Sequence, residues 1–160
     1  MQGNCFTRNP FIVAIILVLI FSYSCTSYFL RAAPLTIPAP DQVDRIVVSW
    51  QDSLDIPVVS KKIINDPDQI AQVIGFLKAH NRGWQKPETA DPVGPYTVTF
   101  EHNGHVLFII WIGFVPWIGG RNGDQDGKDN RYIIISPEDW HKLHEFLGVP
   151  IKEPHYSSSH

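Results

Sequence analysis

The stretch "YTVTFEHNGHVLFIIWIG", residues 96–113, constrains the fold more than any other part of the chain. Two runs rich in β-branched and aromatic residues meet at Asn103-Gly104, a pair that accepts the left-handed backbone of a two-residue hairpin turn. Counting outward from that turn without interruption, Phe100 faces Leu107, Val98 faces Ile109 and Tyr96 faces Trp111. That set is the expected core face. Thr97 and Thr99 then share the reverse face with Phe108, Ile110 and Ile112. Either another strand or the "GFVPWIGG" segment covers this reverse face, or Phe108, Ile110, Ile112, Phe114 and Trp117 offer a surface to a partner, ligand or lipid.

Two helices are signalled on either side. In "NDPDQIAQVIGFLKAHN" (65–81), Asp66 is the expected N-cap, Pro67 fits the first helical position and Gln69 completes a capping-box pattern. Ile70, Val73, Ile74 and Leu77 recur at helical spacing. In "SPEDWHKLHEFLG" (136–148), Ser136 caps and Glu138 with Asp139 suits the positive end of the dipole. Trp140, Leu143 and Leu147 form the apolar stripe, and Gly148 ends the helix. Strands are expected at 44–50, near 58–64, in the two arms of the hairpin, and at 131–136. The order β-β-α-β-β-β-α implies an α+β fold, an antiparallel sheet of four to five strands with both helices on one face.

The first 42 residues have a different character. An unbroken apolar run, "FIVAIILVLIF" (11–21), follows a short segment whose basic residue is Arg8, and it is too short to cross a bilayer core comfortably. "SYSC" comes next, with small residues at Ser22 and Ser24 and then Cys25. This resembles a bacterial lipoprotein signal, which implies cleavage after Ser24 and acylation of Cys25, of the palmitate type. Ser22 stands where such signals usually carry leucine. Residues 11–30 as one uncleaved single-pass anchor, or cleavage that releases a soluble protein, are the alternatives. Each places the domain outside the cytoplasm. Pro34, Pro38 and Pro40 keep the following segment extended. The expected organisation is a signal peptide over 1–24, a Pro-rich tether over 25–42, one domain over 43–150 and a polar tail over 151–160.

Composition narrows the chemistry. The chain has 160 residues, a formal charge of −3 and no basic run, so it lacks the cationic footprint of a nucleic-acid binder. Its two cysteines, Cys5 and Cys25, both precede the domain, which leaves no disulfide or thiolate nucleophile there. "GGRNGDQDGKDN" (119–130) is the most chemical-looking segment. Asn122, Asp124 and Asp126 alternate as in the opening of a calcium loop, and Asp129 could add an oxygen. The twelfth place of such a loop needs a glutamate and holds Ile133 here. The segment therefore reads as a long polar connection, with Asp124, Asp126 and Asp129 as an alternative calcium site. His102 and His105 flank the hairpin turn, and His141 and His144 sit one turn apart on the polar flank of the second helix. Each pair supplies two ligands where zinc wants three or four. No serine elbow, phosphate loop or dinucleotide fingerprint occurs.

In pattern, residues 43–149 resemble small exported bacterial domains whose activity is not established, through the leader, the "DPDQI" helix, the hairpin and "YIIISPED" entering a final helix. The resemblance implies a location and a fold and transfers no catalytic residue. The expectation is a lipid-anchored envelope domain that binds a partner, has no cofactor and is not an enzyme; the alternative is an exported calcium-binding protein.

Overall fold

Burial alternates along the strands, as a sheet with one covered face requires. The computed structural model describes residues 32–51, 59–87, 94–123 and 129–151. Its strands are β1 (Arg45–Gln51), β2 (Val59–Ile64), β3 (Tyr96–His102), β4 (His105–Ile112), β5 (Trp117–Asn122) and β6 (Arg131–Ile134); its helices are α1 (Pro67–Ala79), after β2, and α2 (Pro137–Leu147), after β6. The six strands form one sheet in the order β2-β1-β3-β4-β5-β6, antiparallel at every step. The α+β class is as expected, with one strand more than the four to five read from the sequence. The added strand is β5, the "WIGGRN" segment. Its paired glycines have low strand propensity and read as loop. Gly120 sits close beneath Leu35, so a Cβ there would stand 2.7 Å from Leu35 Cδ1 and force that side chain to shift.

The hairpin turn is as predicted, with φ of 50° at Asn103 and 81° at Gly104. Its register is not. Glu101 pairs with Val106, but Phe100 pairs with Phe108, so Leu107 is an extra residue in β4. One inserted residue sends everything beyond it to the other face. Val98 therefore meets Ile110 and Tyr96 meets Ile112, in place of the expected Ile109 and Trp111. Phe108, Ile110 and Ile112 join Tyr96, Val98 and Phe100 in the core, and all six are 0% exposed.

Both helices lie over this face. Asp66 caps α1 by accepting from the Asp68 N–H, and Ile70, Val73, Ile74 and Leu77 are buried. Gln69 does not close a capping box. Its Nε2 donates to the Phe146 carbonyl at the far end of α2. At the other end of α1, His80 Nε2 stands 3.2 Å from Asp139 Oδ2 in the first turn of α2. The start of each helix thus meets the end of the other, and the pair is antiparallel. Ser136 caps α2 by accepting from the Asp139 N–H. Gly148 ends it with φ 59°, its N–H on Glu145 O and the Val149 N–H on His144 O, a Schellman closure.

The tether boundary also shifts. Residues 32–42 were expected to lie outside the domain, yet Leu35 is a core residue. The Ala32 N–H bonds Trp84 O. Asn81 accepts from the Leu35 N–H and donates to Leu35 O. Arg131 donates to the carbonyls of Ala33 and Pro34. Pro40 does not keep its part of the segment extended but opens a one-turn 3-10 helix, Pro40–Gln42, and the stretch before it packs through Leu35 where a free tether was expected.

Candidate interaction surface

Because the helices cover one face, the other face of the sheet is defined by alternation alone. Val47 lies between Ile63 and Thr99, and Thr99 pairs with Ile109, which pairs with Arg121. The adjacent row runs Lys61, Ser49, Thr97, Trp111, Gly119 and Tyr132. Arg121 places its guanidinium carbon 5.5 Å from the centre of the Trp111 ring. Trp117 and Ile134 pair at one end of this face. The Trp117 indole occupies the space a Cβ on Gly113 would need. Ile63 and Ile134 are 60% and 72% exposed.

The residues expected to form a partner surface divide accordingly. Phe108, Ile110 and Ile112 are corrected to core, for the reason the Leu107 bulge supplies. Trp117 is half-buried on the open face. Trp111, Ile109, Val47 and Ile63 belong to that face and were missed, since an unbroken count from the turn assigns Ile109 and Trp111 inward. Composition carries no signal of the bulge: Leu107, Ile109 and Trp111 are as apolar opposite β3 as Phe108, Ile110 and Ile112.

The expected calcium residues are not assembled by the described part of the chain. Asp124 and Asp126 lie outside the described residues. Asp129 is half-buried and accepts from Arg131 Nη2 at 2.9 Å, so its carboxylate already has a cation. Among the described residues no group of three His, Cys, Asp or Glu side chains is placed to hold a metal. With Asp129 engaged, millimolar calcium is expected to leave the melting temperature of the full chain unchanged; a concentration-dependent rise in a thermal scan would reverse this.

The histidines separate as well. His102 and His105 are directly opposed across the turn, as predicted. His141 is exposed, its Nδ1 on Pro137 O. His144 is not on a polar flank but in the core, at 2% exposure, between the rings of Trp140 and Tyr96. Its position four after Trp140 and three before Leu147 carried that signal. Nδ1 bonds Trp140 O at 2.8 Å, which leaves Nε2 buried and unpaired. Burial lowers its pKa below the ordinary value, the Trp140 carbonyl partly offsets this, and nearby His141 adds to the lowering.

The unfolded ring takes up a proton near pH 6.5, the folded ring only at lower pH. His144 therefore favours folding fully above about pH 6.5, and this is lost progressively as pH falls below it. The melting temperature should fall between pH 7 and 5, and His144→Gln should flatten that slope. An equal slope in both proteins would show that His144 is not the group responsible. Asp139 is shifted downward as well, chiefly by the Ser136 hydroxyl, which donates to Oδ2 at 2.7 Å.

No protein-family model matches the chain, and no curated protein matches it. Among solved structures it is similar to one described as "Putative Lipoprotein from Clostridium perfringens", with a TM-score of 0.45 and 13% identity over 71% of this chain and 99% of that one. A likeness of that extent assigns no function. Among the described residues no helix is long and apolar enough to cross a membrane.

Proposed function

We propose that the chain is an extracytoplasmic domain, held on a membrane by acylation of Cys25, that acts by binding a protein of the envelope through the open face of its sheet. The observation that carries the binding reading is the row Ile63, Val47, Thr99, Ile109 with Trp111 beside it, an exposed isoleucine and half-buried apolar side chains interrupted by one threonine, which the helices do not cover. The apolar run over 11–21 and the "SYSC" that follows support the anchor.

The two halves are tested separately. Mass spectrometry of the mature N-terminus should find residues 1–24 removed and Cys25 acylated, and Cys25→Ser should abolish the acylated species. An N-terminus that retains residues 1–24, or that carries an unmodified cysteine, refutes the lipid anchor. For binding, the full chain carrying Ile63→Glu and Trp111→Glu should lose its cross-linked partner in membranes while its urea midpoint stays near that of the parent. An unchanged cross-linked partner in that variant refutes the open face as the binding surface.

A further inference from the structure

The turn between β4 and β5 is apolar beyond what the core or the open face requires. Phe114 and Val115 are 43% and 56% exposed, Pro116 and Trp117 follow, and Ile134 lies across from Trp117. Ile151, also exposed, belongs to this end of the sheet, because the Tyr96 hydroxyl donates to Pro150 O and Tyr96 pairs with Ile112. The opposite end is polar. There the hairpin tip carries His102, Asn103 and His105, and Asp44 accepts from the Asn103 N–H. The sheet therefore has an apolar end and a polar end.

We propose that the Phe114–Trp117 turn is an insertion tip that seats in the interface of a lipid bilayer. Three observations select a bilayer as the occupant. Residues 113–118 carry no charge and combine Phe, Val, Pro, Ile and Trp, the last being the side chain that favours the headgroup boundary. Part of the turn's backbone is hydrogen-bonded within the protein, which lowers the cost of leaving water. Gly113 N–H bonds Trp117 O, Trp117 N–H bonds Val115 O, and Pro116 O accepts from the Ile135 N–H. Pro116 has no N–H to satisfy, and Gly113 O accepts from the Trp140 indole. Finally, the chain itself limits the distance. Ala32 is fixed to Trp84, and seven residue steps back to Cys25 span at most about 25 Å. A strand the length of β4 is about as long. This inference deepens the anchored-domain reading, since a lipid on Cys25 would keep the tip within reach of the bilayer.

The test uses the full chain reconstituted in vesicles of phosphatidylcholine, with a nitroxide at Val115→Cys and, in a second protein, at His105→Cys. The parent chain supplies the background from Cys5 and Cys25. The ratio of oxygen to nickel-chelate accessibility at position 115 should exceed that at 105 several-fold and be insensitive to salt. Equal ratios overturn the insertion tip. The mass of the same sample reports Cys25 independently. Acylated Cys25 with a water-exposed position 115 removes the tip and leaves the anchor; a lipid-buried position 115 on an unacylated chain does the reverse.

Discussion

Trp84→Ala is expected to cost the domain about 3–5 kcal/mol, read as a lowered urea midpoint. Trp84 is 2% exposed and outside every helix and strand, so its burial is not incidental to a regular element. Its ring approaches the Gly120 backbone at the place a Cβ would fill, and its Nε1 donates to Asn81 Oδ1 at 2.8 Å. The same Asn81 oxygen accepts from the Leu35 N–H. Truncation would open a cavity beneath β5 and remove one of the bonds that orient Asn81, which in turn holds the N-terminal segment. Trp84→Phe should recover most of the packing and lose only the indole bond. A loss below about 1 kcal/mol for Trp84→Ala would mean that the site collapses without cost.

Gly94→Ala is the second large effect, about 3 kcal/mol, at the upper end for overpacking. A Cβ there would lie 1.9 Å from the Ile112 carbonyl oxygen and 2.5 Å from its carbon. Both are backbone atoms of β4, so no side-chain rotation relieves the collision. The chain enters β3 by passing directly over the end of β4, and only a residue without a side chain permits that passage. Gly75, on the exposed side of α1 with nothing within 4 Å of its Cβ position, is the control. Gly75→Ala should stabilise slightly through helix propensity. Equal midpoints for the two alanine variants would contradict the reading of Gly94.

Much of the fold was legible because local signals agreed. Asp66-Pro67 and Ser136-Pro137 start helices where they should, Gly148 ends one, and Asn103-Gly104 turns the hairpin. What was illegible has specific causes. Leu107 is chemically as good a core residue as Phe108, so nothing in its own identity marks it as inserted, and an unbroken count places β4 the wrong way round. Gly119 and Gly120 conceal a strand because propensity scales register entropy and not the approach of Leu35 and Trp84. Leu35 belongs to the core although three prolines lie within five residues of it. The candidate surface inherited the register error, so three of its five expected members, Phe108, Ile110 and Ile112, became core, and two of the residues that replaced them, Ile109 and Trp111, are those the same slip had assigned inward.

The packing of residues 32–37 has a mechanical consequence. If the domain is held at its N-terminus, any pull between envelope and domain enters the fold at Ala32, and the first bonds to bear load are the Ala32 link to Trp84, the Asn81 contacts with Leu35, and the Arg131 contacts with Ala33 and Pro34. They follow one another along the strap from its N-terminal end, so a pull there releases them in sequence. Peeling this strap away would expose Leu35 and the space under Gly120 before any strand separates. Under force the domain should lengthen first by a short N-terminal release, with the six-stranded sheet yielding later.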